Sequence, residues 1–137
     1  DILSYDDACA ALDQSGADAV MIGRGAQGQP WLIGQVGARL SGQPMMPTPT
    51  LREQLGLLSD LYEAILAHYG LRIGLRHARK HLAWGLDVAA RSVKAECHNR
   101  LAQTLQHWRA QILTSEAPQQ VQSLLPSAFD SFAQEAA

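Results

Sequence analysis

Apolar residues follow helical spacing along most of this chain, with one short interruption near its start. Residues 4–16 read SYDDACAALDQSG. Ser4, with Asp7 three residues on, makes a start like a capping box. Ala8, Ala11 and Leu12 then share one face, and Gly16 suits a left-handed C-terminal cap. The interruption is ADAVMIG, residues 17–23, an apolar run almost without alternation. That pattern predicts a parallel strand over 18–22, buried on both faces. A glycine-rich turn, GRGAQGQP, follows. Pro30 suits the first turn of a helix, PWLIGQVGARL, that stops at Ser41-Gly42.

A parallel strand needs neighbours, and no second strand is evident in the sequence. Left unpaired, each buried backbone group of residues 18–22 would cost about 1–3 kcal/mol. Residues 1–42 therefore read as the closing piece of a larger α/β sheet. Residues 43–50, QPMMPTPT, read as a proline-rich linker. Thr50 and Glu53 form a second capping box, opening a helix to Tyr69 with Leu55, Leu58, Tyr62, Ile65 and Leu66 on one face. Gly70 is expected to end it. A third helix is predicted over 73–84, stopped by Gly85, and a fourth over 88–113. A short fifth starts near Pro118 and carries Val121, Leu124 and Leu125. Residues 51–125 thus read as an all-helical domain, and 126–137 as a frayed tail.

A chain of 137 residues holds one ordinary domain or two very small ones. No run of about 18 apolar residues occurs, so no transmembrane helix is expected. No basic segment followed by an apolar run opens the chain, so no secretory signal is expected either. The first residue is Asp1 rather than Met, which leads us to expect a fragment or a processed product. Cys9 and Cys97 are far apart, which suits a reducing cytosol better than a disulfide framework or a zinc site. Cys9 lies on an apolar helix face, where a plain core role is expected.

Net charge is only −2, but it is unevenly placed. Residues 1–71 carry a net −5, residues 72–109 a net +6 and residues 110–137 a net −3. Within the basic block, Arg72, Arg76, Arg79 and Lys80 fall within about a quarter-turn of a helix. Leu71, Leu75, Ala78 and Leu82 form a separate apolar stripe. The four cations have no acidic partner one turn away on their helix. They read either as a solvated helix face or as a surface for a polyanion. His77 and His81 stand one turn apart, a metal-ligand spacing. No carboxylate or cysteine accompanies them and cations flank them, so no metal is expected.

Gly23-Arg24-Gly25 directly after the predicted strand is the other candidate site. A glycine turn between strand and helix aims several backbone N–H groups at one point, which suits a phosphate. Arg24 can add a charge-assisted bond. The same residues also fit a tight turn with no ligand.

Met21-Ile22-Gly23-Arg24 and Gln27-Gly28-Gln29-Pro30-Trp31 closely resemble the end of the catalytic barrel in bacterial tRNA-dihydrouridine synthases of the DusB type. Asp1 matches the last residue of that family's Asn-Gly-Asp motif, and the Asn-Gly is absent here. The run Arg79-Lys80-His81 followed by Trp84-Gly85 resembles the family's C-terminal domain, where Trp-Tyr is the commoner pair. Residues 112–125 resemble the start of its last helix, and residues 86–111 match least.

The resemblance implies the incomplete end of an α/β TIM barrel, its last strand and flanking helices, followed by an all-α helical bundle. It implies FMN as cofactor, with its phosphate held by Asp1, Gly23, Arg24 and Gly25. It implies NADPH as reductant and tRNA as partner, and the cluster of Arg72, Arg76, Arg79 and Lys80 is expected to hold that tRNA. The implied reaction is reduction of uridine to 5,6-dihydrouridine. The family's catalytic cysteine and flavin-contacting lysine lie upstream of the matched motifs. Neither Cys9 nor Cys97 matches that cysteine, so no catalytic residue is expected in this chain. Two other readings stay open: an FMN-binding TIM-barrel oxidoreductase acting on small molecules, and a stand-alone helical RNA-binding module.

Overall fold

The computed structural model describes residues 1–93 and 98–135. Cys97, and the part of the predicted fourth helix over 94–97, lie outside the described residues. The chain divides into two compact units, Asp1–Pro49 and Thr50–Ala137.

The first unit contains α1 (Tyr5–Ser15) and α2 (Trp31–Leu40). Ser4 caps α1 by accepting from the Asp7 N–H, and the Asp7 carboxylate accepts in return from the Leu3 N–H at 2.9 Å. Those bonds hold the Asp7 carboxyl below its ordinary range. Gly16 ends α1 in the left-handed conformation, as expected. Ala8, Leu32 and Val36 form the buried core, with Ile2, Tyr5, Val20 and Ile22 packed around it. Cys9 is half-buried rather than in that core. Its thiol, beside the Tyr5 hydroxyl, raises the phenol's pKa, while the Arg39 guanidinium lies 4.3 Å from the Tyr5 ring centroid.

The strand predicted over 18–22 is not formed, and no strand occurs among the described residues. A strand is a hydrogen-bonded ladder, and no described segment pairs with this one. Nor is the segment covered on both faces: Val20 and Ile22 pack inward, whereas Met21 is 89% exposed.

The regular elements of the second unit are all helices among its described residues. It comprises α3 (Leu51–Arg91), α4 (His98–Thr114) and α5 (Pro118–Glu135). The capping box at Thr50 and Glu53 is present in full, and the Thr50 N–H and hydroxyl draw the Glu53 carboxyl below its ordinary range. The helix α3 is two limbs, 51–69 and 71–91, reversed at Gly70 with φ 72° and ψ 171°. That backbone region is essentially reserved for glycine.

Close packing of the two limbs explains two further glycines. A Cβ on Gly74 would lie 3.0 Å from the Leu66 Cα, and one on Gly85 would lie 2.7 Å from a Leu58 methyl. Gly85 therefore does not stop a helix as predicted. It is buried inside the second limb, because its missing side chain admits Leu58. The second limb then continues to Arg91, so residues 88–91 belong to α3 and not to the next helix.

The core joins Leu58, Tyr62 and Ile65 of the first limb to Ala78, Leu82, Leu86 and Ala89 of the second. Leu101 and Ile112 of α4 and Val121, Leu125, Phe129 and Phe132 of α5 complete it. Leu71, expected in the apolar stripe, is exposed, and Gly74 takes its place on the buried side. The frayed tail is also corrected: α5 runs through Pro126 to Glu135. A proline inside a helix costs about 3 kcal/mol. Full burial of each phenylalanine returns about 1.5–3 kcal/mol, and both Phe129 and Phe132 are buried.

Gly70→Ala should lower stability by about 1–3 kcal/mol, the cost of forcing a Cβ into that backbone region. Gly56→Ala, in the same helix but at a helical, open position, should raise it by about 0.5–1 kcal/mol. Denaturant unfolding of both variants reads the contrast, and equal effects would refute this account of the reversal.

Candidate functional site

Residues 24–26 form one 3-10 turn. The Ala26 N–H donates to the Gly23 carbonyl and the Gln27 N–H to the Arg24 carbonyl, each at 3.1 Å. The N–H groups of Gly23, Arg24 and Gly25 take no part in those bonds. Residues 1–3 lie across this turn. A Cβ on Gly25 would stand 2.0 Å from the Ile2 carbonyl oxygen, so only glycine permits the approach. Gln29 reaches back and donates its side-chain amide to the Gly25 carbonyl at 2.8 Å.

Arg24 lies on the outside of the turn with its side chain 74% exposed, and its Nη2 contacts both Asp1 carboxylate oxygens, at 2.8 and 2.7 Å. Asp1, Gly23, Arg24 and Gly25 are thus brought to one place. Their parts differ. A carboxylate repels a phosphate, so Asp1 can serve an anion only by holding Arg24. Gly25 is needed for close packing, whereas a Cβ on Gly23 would meet nothing within 4 Å. Gln29 and the Ile2 backbone were not singled out from the sequence. The spacing of four from Gly25 to Gln29 was the available signal.

In the second unit, Arg72, Arg76 and Arg79 emerge from the second limb of α3 one turn apart. They line a groove of about 500 Å³ together with Leu71, Leu75 and Glu116. All three arginines are exposed, and none is ion-paired among the described residues. Glu116 comes from the turn between α4 and α5, and no sequence spacing points to it.

Lys80 does not line this groove. Its Nζ lies 5.9 Å from the Trp84 ring centroid. Two other basic residues of the block are engaged: Arg109 pairs with Asp87 and Arg100 with Glu135. His77 stacks on Tyr69 at 4.7 Å, and His81 meets Trp84 edge-on at 5.3 Å. Burial, reinforced by Lys80 and His77, holds the His81 imidazole below its ordinary pKa. Among the described residues no group of three or more His, Cys, Asp or Glu side chains is placed to hold a metal.

The family described as Dihydrouridine synthase (Dus) matches residues 1–123. A probable tRNA-dihydrouridine synthase of Rhodobacter capsulatus is 49% identical over 96 residues, 70% of this chain and 30% of its own length. One from Rickettsia prowazekii is 39% identical over 97 residues, 71% of this chain and 30% of its own length. The tRNA-dihydrouridine synthase B of Xanthomonas axonopodis pv. citri is 46% identical over 84 residues, 61% of this chain and 25% of its own length. The chain therefore spans about a third or less of the length of these relatives. The match covers the glycine turn of the first unit and the arginine groove of the second, and the chain belongs to the dihydrouridine synthase family.

Proposed function

We propose that this chain is the C-terminal part of an FMN-dependent tRNA-dihydrouridine synthase that reduces uridine in tRNA with NADPH. Its first unit is then the end of a (β/α)8 barrel and its second unit grips tRNA. The observation that carries the reading is the continuous family match across residues 1–123, which takes in both candidate sites.

Residues 17–23 support the barrel assignment. Their inner side chains pack on α1 and α2, while Met21 and Leu3 stand bare, as surfaces that neighbouring strands would cover. The turn also fits a phosphate. Gly25 keeps the backbone close, three N–H groups stay out of the turn's own bonds, and one guanidinium stands outward. Gly23, Arg24 and Gly25 would hold the FMN phosphate, with Asp1 orienting Arg24. When bound, FMN supplies hydride chemistry for the uracil double bond; this chain's residues supply orientation. Arg72, Arg76 and Arg79 would take the tRNA backbone, since three unpaired cations on one groove are suited to phosphates. Lys80 belongs to the same face and adds charge from beside Trp84.

Two outcomes are expected. In a complete enzyme carrying residues 1–42 as its barrel end, Arg24→Ala should weaken FMN retention roughly ten- to hundredfold, the loss of one charge-assisted contact. Asp1→Asn should weaken it less, because Arg24 remains but is no longer anchored. Flavin content after dialysis reads both, and unchanged content in Arg24→Ala would remove the residue from the site.

In the 137-residue chain, tRNA affinity should fall steeply with salt. Replacing Arg76 and Arg79 together by Gln keeps good helix formers in place and should flatten the log–log salt slope by about one to two units. Replacing Arg39 and Arg52 the same way should change it little. Equal slopes for the two double variants would place the RNA surface elsewhere.

A further inference from the structure

The arginine groove holds one residue that a plain phosphate clamp would avoid, Glu116. Its position is set by an ordered turn. The Ser115 hydroxyl donates to the Gln120 side-chain oxygen at 2.8 Å and accepts from the Ala117 N–H at 3.3 Å. The Ala117 carbonyl accepts from the N–H groups of Gln120 and Val121, each at 3.1 Å. Glu116 nonetheless makes no ion pair with Arg72, Arg76 or Arg79, so the groove keeps cations and carboxylate apart rather than neutralising them. Leu71 and Leu75 add apolar surface to the lining.

A carboxylate is an acceptor only, and guanidinium groups are donors only. A ligand satisfying both carries an anion and a hydrogen-bond donor close together, on a body able to lie against leucine. A ribonucleotide unit has that chemistry: phosphate oxygens for the arginines, a sugar ring for the apolar surface and a 2′-hydroxyl for the carboxylate. A deoxyribose has no hydroxyl to give, and would leave Glu116 repelling the neighbouring phosphates.

We infer that Glu116 is a specificity-determining residue, accepting a hydrogen bond from a ribose 2′-hydroxyl so that the groove selects RNA over other polyanions. The inference rests on the reading of this groove as an RNA-backbone site. It assigns the discrimination to the α4–α5 turn and the attraction to α3.

The test uses the full 137-residue chain and three probes of one sequence: an RNA hairpin, its 2′-fluoro form and the DNA hairpin. The 2′-fluoro RNA keeps A-form shape and every phosphate but cannot donate. Wild type should bind RNA more tightly than 2′-fluoro RNA by roughly three- to tenfold, the range of one exposed hydrogen bond. Glu116→Ala should abolish that preference, chiefly by binding the 2′-fluoro RNA and DNA better. Glu116→Gln, whose carbonyl still accepts, should keep part of it. An unchanged preference in Glu116→Ala, or a uniform gain for all three probes, overturns the inference and leaves the groove as a phosphate site. Failure of all three probes to bind with salt-dependent affinity overturns the RNA reading and the inference with it.

Discussion

The second unit depends on one backbone reversal. At Gly70 the chain takes a conformation that a Cβ would oppose, and a 41-residue helix becomes two limbs packed against each other. Gly74 and Gly85 then let those limbs approach Leu66 and Leu58 closely. The reversal decides which side of residues 71–91 is buried: Ala78, Leu82, Leu86 and Ala89 go inward against α4 and α5. Arg72, Arg76 and Arg79 are left outward by the same geometry, since they lie about a quarter-turn around the helix from that buried stripe. The exposed basic face therefore follows from the packing face.

Much of this was legible from residue spacing. The caps at Ser4, Gly16 and Thr50 act through neighbours three or four residues away, and such local chemistry is visible in sequence. Gly70 was read correctly as an end, since left-handed glycine is a local property. Gly85 was misread because its role is tertiary: the same residue that ends an isolated helix admits a leucine in a packed one. Pro126 misled for the converse reason. A proline signals a break locally, while Leu125, Ala128, Phe129 and Phe132 carry a helical stripe across it.

The candidate sites divide the same way. Gly23, Arg24 and Gly25 are adjacent in sequence, and Asp1 came from a motif match. Glu116 was missed because it lies 37 residues from Arg79 and joins the groove only through the turn between α4 and α5. The strand over 18–22 was legible as an apolar run, but its ladder is a property of neighbours, and no described residue supplies them.

Charge counting shows why geometry must finish what composition begins. The basic block of residues 72–109 carries a net +6, enough to suggest an anion site but not to locate it. Arg109 is held by Asp87 and donates to the Ala83 carbonyl, so it ties α4 to α3. Arg100 is held by Glu135 and ties α4 to the end of α5. Lys80 rests near Trp84, where a cation–π contact competes with a distant anion. Exposed pairs of this kind contribute little to stability, but each restrains a cation that could otherwise turn to a ligand. Arg72, Arg76 and Arg79 converge on one groove and are free of such pairs among the described residues, whereas Arg91 stands at the end of α3 and does not line it. An overall charge of −2 is therefore compatible with a polyanion partner, because at a Debye length of about 8 Å in physiological salt a phosphate responds chiefly to the cations beside it.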